Sequence, residues 1–121
     1  MDVIVVDDSA LIREHLLKRL DAIDGARVVA TAIGEDEAIA AIAHHRPDVV
    51  LLDLGLASGS GINVLKAARR QGLQCRIFVL TNQTHERYRA ICAKHGADGF
   101  FDKSHEIESL MAALQGGTTP A

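Results

Sequence analysis

Short β-branched apolar runs alternate with longer segments of helical spacing along almost the whole chain. Two of these runs, V-I-V-V at 3–6 and V-V-L-L at 49–52, contain no polar residue at all. Strands of this kind are buried on both faces, which is typical of a parallel sheet covered by helices on either side. The sequence therefore predicts strands at residues 3–6, 27–32, 49–52, 76–80 and 99–101.

A predicted helix follows each of these strands, because apolar residues recur there at positions that share one helical face. The predicted apolar faces are, in chain order, Ile12, Leu16, Leu20 and Ile23; Ala38, Ile39, Ile42 and Ala43; Ile62, Leu65 and Ala68; Tyr88, Ile91 and Cys92; and Ile107, Leu110, Met111 and Leu114. Gly96 is predicted to end the fourth helix and Ser104 to cap the start of the fifth. Five strands and five helices in alternation predict one doubly wound α/β domain over residues 1–115, followed by a flexible tail at 116–121.

Composition fits a globular domain and argues against several partners. The chain has 121 residues, 48% hydrophobic and 24% charged, which is enough to bury a core without disulfides. We expect Cys75 and Cys92 to be buried and reduced. The net charge of −3 does not favour nucleic acid, so no direct nucleic-acid binding is expected. There is neither a membrane-spanning apolar run nor a signal-peptide pattern, so we expect a cytoplasmic location and no membrane partner.

Acidic side chains follow two of the predicted strands, at the ends where parallel sheets bind their ligands. Asp7 and Asp8 follow the first strand, and Asp53 follows the third. If these strands are neighbours, the three carboxylates converge and resist ionising together. A divalent cation would remove this repulsion, and an oxygen-only ligand set favours Mg²⁺ or a similar hard ion.

Two further groups at the same edge complete a set suited to phosphoryl transfer. Thr81 ends the fourth strand and offers a hydroxyl donor, and Lys103 follows the fifth strand and offers a fixed positive charge. Asp53 would act as the nucleophile and become an aspartyl phosphate, with the metal and Lys103 offsetting charge on the phosphoryl oxygens. Gly55 and Gly59 would let the backbone approach closely.

These residues resemble the receiver domain of two-component response regulators. The resemblance covers residues 3–114 and is carried by V-V-D-D-S at 5–9, V-V-L-L-D-L at 49–54, Ser60-Gly61, V-L-T at 79–81 and G-A-D-G-F-F-D-K-S at 96–104. It implies a flavodoxin-like (βα)5 fold with strand order 2-1-3-4-5. The last segment is similar to receivers that precede helix-turn-helix domains, but this does not change our expectation about nucleic acid.

By this resemblance, Asp53 is the phosphoacceptor and receives its phosphoryl group from a histidine kinase or a phosphotransfer protein. Asp7 and Asp8 match the acidic pair that holds Mg²⁺ together with Asp53. The backbone carbonyl of Gly55 is implied as a further metal ligand.

The resemblance also implies a conformational switch. Thr81 matches the switch hydroxyl that moves toward the phosphoryl group, and Phe100 matches the aromatic switch position. A signalling switch of this kind is not a dedicated enzyme, and slow loss of its phosphate is a property of the switch. The resemblance also implies a downstream protein partner, which the sequence does not identify. Homodimerisation on phosphorylation stays an open alternative.

Four positions depart from the family pattern. Ala57 stands where proline is usual, which predicts a looser loop, and Ser104 also replaces a proline. Asn82 stands where a small residue is usual, and Phe100 lacks the hydroxyl of the tyrosine found in many members. We hypothesise that these departures change the lifetime of the phosphoryl group and the switching, rather than the ability to be phosphorylated.

Three other functions account for parts of this sequence pattern. A phosphorylation-independent, receiver-like interaction module stays open because of Ala57, Asn82 and Ser104, although the intact set of site residues argues against it. An aspartate-nucleophile phosphohydrolase needs an acid/base two positions after Asp53, where Gly55 stands. A flavin-binding flavodoxin would have to cradle a phosphate in a first loop where Asp7 and Asp8 would repel it. The six histidines are scattered and are interpreted as solvated surface residues.

Overall fold

A computed structural model describes residues 1–115, in which five strands and five helices alternate. The elements are β1 (Asp2–Val6), α1 (Ala10–Asp21), β2 (Arg27–Ala32), α2 (Glu35–His45), β3 (Val49–Leu52), α3 (Gly61–Arg70), β4 (Arg76–Thr81), α4 (Glu86–Lys94), β5 (Gly99–Asp102) and α5 (Ile107–Gln115). Every strand end lies within one residue of its predicted position. The predicted tail at 116–121 lies outside the described residues.

The strands form one parallel sheet in the order β2-β1-β3-β4-β5, which confirms the predicted fold class and strand order. Successive side chains of a strand point to opposite faces of the sheet, and each face therefore has its own core. In β1, Ile4 and Val6 join the core under α2, α3 and α4, whereas Val3 and Val5 join the core under α1 and α5. The apolar runs are thus buried on both sides, as the sequence predicts.

The helices bury most of their predicted faces, and three details of the prediction are wrong. Ile23, predicted on the apolar face of α1, is buried but lies two residues beyond the end of that helix at Asp21. Ala43 was predicted to lie on the buried face of α2 but is exposed, because α2 contacts the sheet mainly through Ala38 and Ile42. Ser104 does not cap α5, which begins three residues later, at Ile107. Gly96 does follow α4, with a φ of +89° that favours glycine.

The two cysteine thiols are not paired with each other. Within the described residues, Cys75 and Cys92 are buried and free, as expected. Across residues 1–115, none of the helices combines the length and the apolar character that crossing a bilayer requires.

Helix α3 starts so close to the end of β3 that its first residue has no room for a side chain. The N–H of Gly61 donates to the carbonyl oxygen of Leu54 at 2.9 Å. A Cβ at this position would overlap the carbonyl oxygen of Asp53 and would lie 2.8 Å from the Cα of Leu54. Glycine at position 61 therefore lets the backbone after β3 turn directly beneath Asp53.

Replacing Gly61 with alanine should lower the free energy of unfolding by about 1–3 kcal/mol, because the added methyl group meets backbone atoms that cannot move aside. Glycine-to-alanine changes in helices otherwise stabilise by roughly 0.5–1 kcal/mol, so the expected sign is opposite to the helix-propensity effect. Urea denaturation measures the difference. Lys66→Ala in the same helix is the control, with an expected change within about 0.5 kcal/mol. A Gly61→Ala variant as stable as the wild type would contradict the close approach.

Candidate functional site

The register of β1 and β3 places two buried carboxylates side by side at the carboxyl edge of the sheet. Val6 pairs with Leu52, and the hydrogen bonding continues beyond them: the N–H of Asp53 donates to the carbonyl oxygen of Val6 at 2.9 Å. Asp7 and Asp53 therefore occupy neighbouring positions in the extended register. Both are buried, although Asp8, one residue further, is exposed.

Asp7, Asp8 and Asp53 each offer one carboxylate oxygen, and these three oxygens lie within 4.8 Å of one another. Backbone amides already hold two of these groups in place: the N–H of Ser9 donates to Oδ1 of Asp7 at 2.9 Å, and the N–H of Leu54 donates to Oδ1 of Asp53 at 2.7 Å. A compact donor set made only of oxygens is what a hard divalent cation requires. The residues present therefore fit Mg²⁺, as the sequence predicts.

Lys103 reaches this cluster from β5, two strands away from β3. Its ammonium nitrogen lies 2.7 Å from Oδ2 of Asp7 and 2.6 Å from Oδ2 of Asp53. Its backbone N–H donates to the carbonyl oxygen of Thr81 at 2.9 Å, which fixes the start of the side chain beside β4. The Lys103 side chain is only 8% exposed, so its charge is poorly screened by water.

Burial and pairing act on these groups in opposite directions. Burial raises the pKa of Asp7, although the hydrogen bonds from Lys103 and Ser9 and the charge of Lys103 act to lower it. Burial alone would lower the pKa of Lys103, but hydrogen bonds to Asp53 and Asp7, together with their charges, raise it. Lys103 therefore stays charged at neutral pH. A single ammonium cannot balance three carboxylates, which leaves the cluster able to attract a cation.

Thr81 lies at the end of β4 and is fully buried. Its hydroxyl oxygen accepts a hydrogen bond from the N–H of Gln83 at 3.1 Å. Because a hydroxyl can accept and donate at the same time, the Thr81 proton remains available to a group in the cavity.

Phe100 lies apart from the carboxylates, on β5, and packs partly buried against the core under α4. The guanidinium carbon of Arg89 in α4 lies 4.5 Å from the centre of its ring. The structure thus brings together the residues predicted to bind metal and to take part in phosphoryl transfer. Phe100, the predicted aromatic switch residue, lies apart from them against α4.

An open cavity of about 490 Å³ lies over the cluster. Among its lining residues are Asp8, Asp53, Gly55, Thr81 and Lys103, all of which the sequence predicts. Three others were missed as site residues: Ser9, Ile12 and Gln83. Ser9 ends the V-V-D-D-S motif at 5–9, and its hydroxyl caps α1 by accepting the N–H of Ile12 at 3.3 Å.

Two of the departures from the family pattern contact each other at this cavity. The hydroxyl of Ser104 donates to Oδ1 of Asn82 at 3.1 Å, and both residues line the cavity. The N–H of Ser104, which a proline would lack, donates to Oδ1 of Asp102 at 2.8 Å. Ala57, predicted to loosen its loop, likewise uses an N–H that proline lacks, donating to the carbonyl oxygen of Ile33 at 2.9 Å.

The histidines lie outside the site, as predicted, and five of the six are exposed. His85 has a structural role that the sequence interpretation missed, because its Nδ1 accepts the N–H of Arg87 at 3.1 Å and caps α4.

Comparison with known proteins gives a consistent result. The model of the response regulator receiver domain matches residues 3–115. The nitrate/nitrite response regulator protein homolog of Haemophilus influenzae is 32% identical over 117 residues, covering 95% of this chain and 55% of that relative. The virulence transcriptional regulatory protein PhoP of Salmonella typhimurium is 32% identical over 115 residues, covering 95% of this chain and 50% of PhoP. The chain thus spans about half the length of these curated relatives.

A solved structure with the same architecture is the response regulator domain of Thermotoga maritima CheB. It superposes with a TM-score of 0.83 at 25% identity, and the match covers 94% of this chain and 90% of that one.

Lys103→Met should lower the free energy of unfolding by about 3–5 kcal/mol near neutral pH, because it leaves Asp7 and Asp53 buried without a counter-charge. The loss should shrink at about pH 5. The pKa of Asp7 already lies above its usual value and would rise further without Lys103, so the folded variant gains a proton more readily than the unfolded chain. In the wild type, the contribution of Lys103 is lost only as pH rises through the pKa of Lys103, which its carboxylate partners hold above its usual value.

Urea denaturation of Lys103→Met and wild type at both pH values measures this difference. Lys94→Met, at an exposed lysine in α4, is the matched control and should show little loss at either pH. An equal loss for Lys103→Met at both pH values would show that its effect is not charge compensation.

Proposed function

Because this chain belongs to the response regulator receiver domain family, we propose that it is a phosphorylation switch whose phosphoacceptor is Asp53. Receiver domains of response regulators are typically non-enzymatic signalling modules. The observation that carries the proposal is the Lys103 ammonium, 2.6 Å from Asp53 and 2.7 Å from Asp7. It supplies a fixed positive charge beside the carboxylate that would take the phosphoryl group.

In the proposed reaction, a carboxylate oxygen of Asp53 attacks the phosphorus of the donor. The bond between phosphorus and the donor's nitrogen or oxygen breaks, and an acyl phosphate forms on Asp53. The Lys103 ammonium and the Thr81 hydroxyl then donate hydrogen bonds to the phosphoryl oxygens. Mg²⁺, held by Asp7, Asp8, Asp53 and the Gly55 carbonyl, would supply further positive charge against those oxygens.

The switch would follow from the hydrogen bond that Thr81 gains. Movement of Thr81 toward the phosphoryl group pulls on the loop that begins at Asn82 and leads into α4. Phe100 contacts Arg89 of α4. Phosphorylation would thereby shift an existing equilibrium between two arrangements of this region.

We propose that a histidine kinase or a phosphotransfer protein is the donor. Leu11 supports a protein donor, because this large apolar side chain is 76% exposed in the first turn of α1, next in sequence to Ile12, which lines the cavity. We further propose that residues 1–115 form the receiver domain and act on a downstream protein rather than on nucleic acid. Slow hydrolysis of the acyl phosphate would be a property of the switch and not an enzymatic function.

The alternative of a phosphorylation-independent interaction module is not favoured. Such a module has no use for three converging carboxylates, a buried lysine that bridges two of them, and a buried hydroxyl at the same edge.

Incubation with acetyl phosphate and Mg²⁺ should add the mass of one phosphoryl group to the intact wild-type chain. The expected reason is that the Asp53 carboxylate attacks the phosphorus of this small donor when Mg²⁺ is bound. Intact-protein mass spectrometry measures the gain. Asp53→Asn, which keeps the shape of the side chain and loses the nucleophile, should show no gain, and a chelator should abolish the gain in the wild type. A gain that persists in Asp53→Asn would place the phosphoacceptor elsewhere. No gain in the wild type from either acetyl phosphate or a kinase would overturn the proposed function.

Asn82→Ala should shorten the lifetime of the acyl phosphate by about two- to tenfold, because it removes one hydrogen bond across the wall of the cavity and lets water approach. Ser104→Ala removes the same bond from its other side and should have a similar effect. The double variant should then be no faster than either single variant. Loss of phosphorylated protein after donor removal, followed by mass spectrometry, gives the rates. Unchanged rates would exclude this pair as a determinant of lifetime.

A further inference from the structure

The loop between β3 and α3, residues 53–60, is tied to the start of α2 rather than standing free at the edge of the cavity. The N–H of Ala57 donates to the carbonyl oxygen of Ile33 at 2.9 Å, and the N–H of Glu35 donates to the carbonyl oxygen of Ser58 at 2.9 Å. This loop also carries Gly55, whose carbonyl is proposed above as a metal ligand. What holds the loop therefore bears on the metal site.

The carboxylate of Glu35 makes the most direct of these ties. Its Oε1 accepts the backbone N–H of Ser60 at 2.9 Å and the side-chain amide of Asn63 at 3.1 Å. These hydrogen bonds hold the pKa of Glu35 below its usual value, and the bond from Ser60 has the larger effect. Ser60 is also bridged to Gly55 in antiparallel fashion across the base of the loop. Glu35 is thus bonded to the residue that faces Gly55.

The loop at residues 53–60 packs closely against the start of α2. A Cβ added at Gly59 would overlap the Glu35 side chain, and Gly59 has a φ of +76° that favours glycine. A Cβ added at Gly34 would lie 2.6 Å from the hydroxyl oxygen of Ser58. Small residues on both segments therefore permit a contact that larger ones would prevent.

We propose that Glu35 is a positioning residue for the metal site: by holding Ser60 it fixes the loop in the conformation that presents the Gly55 carbonyl to the cation. This inference rests on the proposed function, since it concerns the same metal. Glu35 does not belong to the acidic cluster of Asp7, Asp8 and Asp53 and is assigned no contact with the ion. Its effect is to remove the cost of ordering the loop when metal binds.

The test compares four single variants in the full chain. Glu35→Ala removes the acceptor oxygen, and Glu35→Asp keeps the charge but shortens the reach by one methylene. Glu35→Gln keeps an acceptor oxygen and loses the charge. Asp36→Asn removes the same charge from the neighbouring exposed position of α2 and serves as the matched control.

Mg²⁺ affinity, measured by titration with the metal alone, should fall about tenfold in Glu35→Ala and Glu35→Asp, as for other residues that orient metal ligands. Glu35→Gln and Asp36→Asn should stay within about twofold of wild type, because neither removes the acceptor. Amide hydrogen exchange without metal supplies a second readout. Exchange at Ser60 should quicken in Glu35→Ala, whereas exchange at Asp53, whose N–H is bonded to β1, should not change.

The outcomes separate this inference from the proposed function. Unchanged exchange at Ser60 in both Glu35→Ala and Glu35→Asp would overturn the positioning role. Faster exchange with unchanged Mg²⁺ affinity would show that the tie exists but does not serve the metal. Equal loss of affinity in Glu35→Gln, Asp36→Asn and Glu35→Ala would assign the effect to net charge and overturn the inference. Failure of the wild type to bind Mg²⁺ would overturn the metal role in the proposed function itself, whatever the exchange data show for the loop.

Discussion

The contact of one lysine with two buried carboxylates is the constraint on which the rest of the site depends. Two carboxylates held side by side in a buried edge are costly unless a cation accompanies them. Lys103 meets this need only because β5 lies next to β4, and β4 next to β3, so that its side chain can extend over the end of β4. The observed order thus places Lys103 within reach of both Asp7 and Asp53. The sheet topology and the charge balance of the edge are therefore linked.

The loops around this edge are held by polar contacts where the family uses proline. Proline stiffens a loop by fixing its own backbone, but it gives up an N–H donor. At positions 57 and 104 this chain keeps the donor and uses it, on Ile33 and on Asp102 respectively. Hydrogen bonds of this kind can break and re-form, whereas a proline ring constrains the loop permanently. The departures thus change how the loops are held while leaving the acidic cluster and Lys103 in place.

The sequence predicts local features well and long-range contacts only in part. Strand positions follow from buried apolar runs, and a common edge for Asp7, Asp53 and Lys103 follows from their places after strands. The strand order required the family resemblance, because the pairing of β1 with β3 joins residues far apart in the chain. Glu35 illustrates what sequence reasoning missed: no local pattern signals that its carboxylate bonds the N–H of Ser60, 25 positions away. Ser104 was predicted to cap α5, but its hydroxyl is bonded to Asn82 instead. No local sequence pattern signals this contact.

The different burial of α3 and α4, which pack on the same face of the sheet, indicates where a change at Asp53 would be transmitted. Helix α3 (Gly61–Arg70) buries four residues, whereas α4 (Glu86–Lys94) buries only Cys92. A helix with few buried contacts costs less free energy to displace than one that is firmly packed. Thr81 connects the cavity directly to the segment leading into α4, and a ring nitrogen of His85 rather than a stronger cap holds the start of that helix. In the proposed switch, movement of Thr81 toward a phosphoryl group would therefore shift α4 before the sheet, and the contact of Arg89 with Phe100 would carry that shift to β5.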